Sequence, residues 1–223
     1  MSRRRIYLMR HAEVRYFEGV HPREVLLTET GRAQAAAAHA ALDGIAFDRV
    51  ITSGLPRTLE TARIVAPAAE PERNDALREI ESGDLRGAEP AAVQAMMTAA
   101  FRGVVPEEAR FLGGERIAEL FDRVLPELDA LLADRAWDVA LLVLHGGVNR
   151  ALLGRAVTGC RTFLGAFEQA PGCVNVLDVD ADGSFVVRAV NHTPYDPAHR
   201  EAARDTTMER LWQEYLDPRT RRT

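Results

Sequence analysis

Two short apolar runs in this chain each end abruptly at a histidine. Ile6-Tyr7-Leu8-Met9 leads into Arg10-His11, and Val139 to Leu144 leads into His145-Gly146-Gly147. Such β-rich runs alternate along the chain with amphipathic helical stretches. That alternation predicts an α/β three-layer sandwich, with a mostly parallel central sheet and helices on both faces. In open α/β sheets, ligands sit outside the carboxyl ends of the strands. Neighbouring strands lie about 4.8 Å apart, so if these two are neighbours, both imidazoles can address one small group. A histidine pair with an arginine beside it points to a single anion-binding site.

The pattern resolves into elements. A strand is expected over about residues 5–10, followed by a loop from Glu13 to Leu27 that carries Gly19, His21 and Pro22. Thr28 or Thr30 can cap a helix through Leu42, favoured by the run Ala35–Ala38. Asp48 to Thr52 reads as a strand, and Leu55 to Val65 as a helix that stops before Pro67. Leu77 to Gly87 reads as extended. Residues 88–112 mix short helical pieces with Gly103 and Pro106, and form a cap-like segment within one domain spanning 1–223. Gly113-Gly114 is expected to open a long helix to about Arg135, bent or broken at Pro126. A helix over Val148–Val157 follows the strand at 139–144. Val174–Val179 and Phe185–Val190 flank Asp182-Gly183 as a hairpin, and a last helix covers Thr207 to Leu216.

Composition narrows the chemistry. The chain has 223 residues and a formal net charge of -5, which argues against nucleic acid as the main partner. Arg3-Arg4-Arg5 and the cluster Arg219, Arg221 and Arg222 read as solvated termini. No apolar run approaches the roughly 20 residues of a membrane span, so the expectation is a cytoplasmic protein with no membrane partner. Cys160 and Cys173 form no C-x-x-C pair and read as packing residues. There is no lysine, so all 28 basic residues are arginine. That excludes a P-loop lysine, a lysine Schiff base and a Ser-x-x-Lys nucleophile. Any anion here is held by guanidinium forks, which match phosphate oxygens in pairs.

Three further segments bear on the site. Thr52-Ser53-Gly54-Leu55-Pro56-Arg57 follows a strand and opens a helix, placing Arg57 in its first turn. A helix N-terminus favours anions and disfavours a cation, so this arginine is expected to serve something outside the helix. Leu77 to Asp84 carries Glu79 and Glu81 on an extended stretch, where residues two apart share one face. Leu144-His145-Gly146-Gly147 supplies small residues that admit a ligand close to the backbone.

These four segments, in this order, resemble the histidine phosphatase superfamily, also called the phosphoglycerate mutase-like family. Arg10-His11 is similar to its Arg-His-Gly signature, Ser53 to Arg57 to its second-arginine segment, Glu79 with Gly83 and Gly87 to its acid-bearing loop, and His145-Gly146 to its second histidine. Leu27-Thr28 with Gly31 and Gln34, and Gly113-Gly114-Glu115, extend the likeness over most of residues 5–157. The resemblance implies a phosphomonoester hydrolase acting on a small phosphorylated metabolite, without a cofactor. It implies that His11 attacks phosphorus and becomes a phosphohistidine. Arg10, Arg57 and His145 would hold the phosphoryl oxygens, and Glu79 would act as general acid and then base.

Other readings stay open at this level. Glu81 is a fallback acid, and Arg15 and His21 are candidate substrate contacts. The family's glycine after the histidine is Ala12 here. An aromatic stands where the mutases carry an asparagine after Glu13-Val14-Arg15-Tyr16, which favours a phosphatase over a mutase-type phosphotransferase. A non-catalytic phosphoryl-binding module is the third reading, with Ala12 as its support. A metal held by His11, His145 and His192 is disfavoured, because Arg10 and Arg57 would repel a cation. The hairpin over 174–190 offers an edge through which a homodimer could pair.

Overall fold

A computed structural model describes residues 3–17, 21–85, 87–200 and 204–217. Gly19 and the arginines Arg219, Arg221 and Arg222 lie outside the described residues. In chain order the elements are β1 (Arg4–Arg10), α1 (Glu29–Ala41), β2 (Arg49–Thr52), α2 (Pro56–Val65), β3 (Glu72–Arg73), α3 (Pro90–Ala99), β4 (Val104–Val105), α4 (Ile117–Ala133), β5 (Val139–Leu144), α5 (Gly146–Thr158), β6 (Phe163–Leu164), β7 (Val174–Val179), β8 (Phe185–His192) and α6 (Thr207–Leu216).

Six strands form one sheet in the order β3-β2-β5-β1-β7-β8. β3, β2, β5 and β1 run parallel, while β7 pairs antiparallel with β1 and β8 antiparallel with β7. β4 and β6 make a separate antiparallel pair. The mixed α/β architecture with a mostly parallel central sheet is the one expected from the alternating pattern.

Side-chain alternation builds the layers. In β1, Ile6 and Leu8 point into a core shared with α4 and α5, through Leu120, Phe121, Val124, Val148 and Leu152. Tyr7 and Met9 point to the opposite face, where Ala35 and Ala38 of α1 meet Ala62 and Val65 of α2. β5 divides the same way, with Ala140, Leu142 and Leu144 on the first face and Leu141 and Val143 on the second. Both faces of these strands are buried, so their sequences read as near-continuous apolar runs. At the antiparallel side, Arg5 and Arg188 both bond Asp178, at 2.6 Å and 2.7 Å. The two guanidiniums hold that carboxyl below its usual range despite its burial.

The structure departs from the sequence expectations in particular places. Residues 90–99 form one helix, begun by Pro90 in the first turn, where its missing amide costs nothing. Gly113-Gly114 belongs to a turn instead of opening α4. The helix begins after Arg116, with Glu119 reaching back to the Arg116 amide at 2.8 Å. Gly113 takes φ 77, and a β-carbon on Gly114 would lie 2.3 Å from the Glu81 carbonyl oxygen. The glycine pair therefore lets this turn pack onto the Glu79–Gly83 loop. α4 runs through Pro126, and α5 starts at Gly146, directly after His145. Cys173 is buried, but Cys160 is exposed and does not pack.

Candidate active site

β1 and β5 are adjacent and parallel, with Arg10 opposite Leu144. The His11 amide donates to the Leu144 carbonyl at 2.9 Å, so both strands release their histidines at one level. The ring centroids of His11 and His145 lie 5.3 Å apart, and the rings are 1% and 0% exposed. Nδ1 of His11 is 2.8 Å from the Ala12 carbonyl. A carbonyl can only accept, so the proton sits on Nδ1 and the lone pair on Nε2. Burial, then Arg57 and then Arg10, hold this imidazole well below its usual pKa, so the neutral form prevails. His145 is depressed in the same direction by burial, Arg57, His11 and Arg10.

Arg10 lies at the end of β1, where Nη1 donates to the Gln169 carbonyl at 2.6 Å and to Thr207 Oγ1 at 3.2 Å. Gln169 is fixed in turn by Asn175, whose Nδ2 bonds Gln169 Oε1 and the Leu8 carbonyl, both at 2.8 Å. Arg57 sits in the first turn of α2 and donates to the Pro22 carbonyl at 3.0 Å. Among the described residues, three buried side-chain nitrogens have no partner: Arg10 Nε, Arg57 Nε and His145 Nδ1. All three belong to this cluster. Buried polar groups are normally bonded, so a cluster of orphaned ones marks a place built for a polar ligand.

Glu79 accepts from the Gly147 amide through Oε1 at 3.1 Å and Oε2 at 3.3 Å. That amide lies in the first turn of α5, where the helix dipole favours an anion. The loop carrying Glu79 is held from behind by Arg123 of α4. Its guanidinium pairs with Glu115 at 2.7 Å and donates to the carbonyls of Ala76, Arg78 and Glu79. Glu81 has other partners: it pairs with Arg23 and, at 3.2 Å, with Arg78. Burial would raise Glu81, but Arg78 and Arg23 outweigh it and lower its pKa.

A cavity of about 1050 Å³ opens above the cluster. Arg10, Tyr16, Arg57, Glu79, Glu81 and Arg150 are among its lining residues, and Arg15 and His21 lie on its exposed rim. Its far wall is apolar, with Met97 of α3, Phe101, Phe111 and Met208 of α6. α3 and α6 share a small core of Val93, Met97, Leu112, Met208 and Trp212. His192 is exposed at the end of β8, and among the described residues no group of three or more His, Cys, Asp or Glu is placed to hold a metal.

The loop after His11 is secured by α1. The Glu13 amide donates to Gln34 Oε1 at 3.0 Å, and Thr28 Oγ1 donates to Glu13 Oε1 at 2.7 Å. A β-carbon on Gly31 would lie 2.3 Å from the Glu13 carbonyl oxygen. This explains why Thr28, Gly31 and Gln34 accompany Arg10-His11. Ala12 is not among the described residues with positive φ. Its backbone therefore makes no demand for glycine, and its amide bonds Thr61 Oγ1 at 3.1 Å.

Compared with known families, residues 6–193 match the histidine phosphatase superfamily (branch 1). The chain belongs to the histidine phosphatase superfamily. Among curated relatives, it is 30% identical over 181 residues to an Arabidopsis thaliana protein named "Probable 2-carboxy-D-arabinitol-1-phosphatase". That match covers 77% of this chain but only 37% of the relative. It is 27% identical to the adenosylcobalamin/alpha-ribazole phosphatase of Salmonella typhimurium, over 84% of this chain and 96% of that one. It is 32% identical to the glucosyl-3-phosphoglycerate phosphatase of Mycolicibacterium vanbaalenii, over 68% and 73%. The solved structure of mycobacterial hydrolase 1 superposes with a TM-score of 0.70 at 23% identity, covering 86% of this chain and 99% of that one, and shares the fold. These comparisons support the enzyme class expected from the sequence, a phosphatase.

Within this histidine phosphatase, the motifs assign no role to some residues at the cluster. Ser53 Oγ lies 2.8 Å from His145 Nε2. Thr52 is opposite Val143 in the parallel register of β2 and β5, so the residue after β2 must neighbour the end of β5. Arg150 is 2% exposed, donates to the Gly146 and Gly165 carbonyls at 3.1 Å, and faces Glu168 at 3.4 Å. Its burial pulls the guanidinium down to about 10, against the pull of Glu168. Its spacing of four from Gly146 places it one helical turn on, which was a usable signal.

Proposed function

We propose that this chain hydrolyses a small phosphomonoester through a phosphohistidine on His11. The observation that carries the reading is the buried imidazole pair between Arg10 and Arg57, with its three unpartnered nitrogens. His11 Nε2, unprotonated and neutral, attacks phosphorus as the ester oxygen leaves. Charge on the phosphoryl oxygens persists through a loose transition state, and preorganised donors stabilise it. Arg10 and Arg57 supply those donors. His145 adds another in the tautomer protonated on Nδ1, in which the Ser53 hydroxyl donates to Nε2. Glu79 gives a proton to the leaving oxygen, then takes one from the water that attacks phospho-His11 and releases inorganic phosphate. Glu81, committed to Arg23 and Arg78, does not share this task.

The curated relatives are named for sugar, sugar-acid and nucleoside-like phosphates, and a cavity of about 1050 Å³ has room for a substrate of that size. Incubation with an aryl phosphate tests the reading. Release of phosphate that is abolished in His11→Ala supports it, and full activity in that variant overturns it. A screen across phosphorylated metabolites then ranks substrates.

A further inference from the structure

We infer that Tyr16 contacts the reacting atoms, its hydroxyl covering the His11 nucleophile at rest and passing to a phosphoryl oxygen when substrate binds. This rests on the phosphatase reading above and assigns a donor beyond the arginines and His145. The Tyr16 hydroxyl lies 3.3 Å from His11 Nε2. Because Nδ1 holds the ring proton against the Ala12 carbonyl, Nε2 accepts and the phenol donates. Tyr16 lines the cavity, whereas His11 does not and is 1% exposed. The phenol therefore stands on the cavity side of the nitrogen.

Tyr16 is placed from two other directions. Its backbone amide donates to Glu214 Oε1 of α6 at 2.7 Å, and the Arg57 guanidinium carbon lies 5.6 Å from its ring centroid. An arriving phosphoryl group must displace the hydroxyl from Nε2, and the nearest acceptor it then meets is an oxygen of that same group. Held by Arg57 and by α6, the phenol needs only a short movement to make the exchange. Arg10 from β1, Arg57 from α2 and His145 at the start of α5 are the other charged or titratable groups that face His11.

Tyr16→Phe removes only the hydroxyl and keeps the ring beneath Arg57. Its kcat/KM for an aryl phosphate should fall about 10- to 100-fold, at or below the lower end of the loss seen when one preorganised donor is deleted. Inhibition by orthovanadate, which mimics the transferring group, should weaken by a similar factor. The acid limb of kcat/KM should move to higher pH, because a donor that favours neutral His11 is gone. The thermal midpoint should hold. A variant with kinetics, vanadate inhibition and acid limb all within twofold of the parent overturns the inference, while phosphohistidine trapped in both proteins leaves the hydrolase reading standing. A parent protein that neither turns over nor traps phosphate removes both together.

Discussion

The backbone amide of Gly147 donates to both oxygens of Glu79, at 3.1 Å and 3.3 Å. One helix start thus presents His145 and locks the carboxylate assigned as the proton carrier. A β-carbon at position 147 would lie 2.7 Å from Glu79 Oε1 and 2.8 Å from Ile80 Cγ2. Gly147→Ala should push the carboxylate aside, lowering kcat at least tenfold and costing about 1–3 kcal/mol from overpacking. Steady-state kinetics and urea denaturation check this, and parental kcat would contradict it.

Glu79 and Glu81 share a loop but not an environment. Glu79→Gln should lower kcat by about 10²–10⁴-fold, the range for loss of a general acid. Glu81→Gln, which disturbs only exposed pairs with Arg23 and Arg78, should change kcat by less than about threefold, since such pairs contribute little. A larger loss in Glu81→Gln than in Glu79→Gln would reverse the assignment.

Ala12 should prove a tolerated departure from the family pattern. Its φ is not positive, and its methyl packs in the core beside Met9 and Ala35. Ala12→Gly should leave kcat/KM within about threefold and lower stability by about 1 kcal/mol, through chain entropy and the lost methyl. A large gain in activity would show that the methyl hinders the site.

Both imidazoles are neutral and depressed from the ordinary value of 6.5. Between that value and their lower folded ones, the unfolded chain binds more protons, so stability falls as pH drops through this window. Each ring contributes up to about 1.4 kcal/mol per pH unit. The acid limb of kcat/KM should likewise lie below 6.5, where His11 becomes protonated. Denaturation midpoints across mildly acidic pH provide the check, and a stability that does not change below 6.5 would contradict it.

The main strands were legible because burial on both faces leaves apolar runs that no surface segment would carry. Residues fixed by motif, such as Arg10, His11, Arg57, Glu79 and His145, do converge. β3, β4 and β6 were not legible, since two-residue strands such as Glu72–Arg73 carry no periodicity. Arg123, and the contact of Ser53 with His145, were not legible for a different reason. Each acts through a partner far along the chain, 44 residues away for Arg123 and Glu79 and 92 for Ser53 and His145. The turn at Gly113-Gly114 misled because a glycine pair marks a helix start and a close backbone approach equally well.

The most direct test of the account is to quench the protein during turnover of an aryl phosphate and locate the phosphoryl group by mass spectrometry. The account predicts phosphate on His11, acid-labile and absent from His11→Ala. Turnover at full rate with no phosphate on His11, or with the label on another side chain, would contradict it.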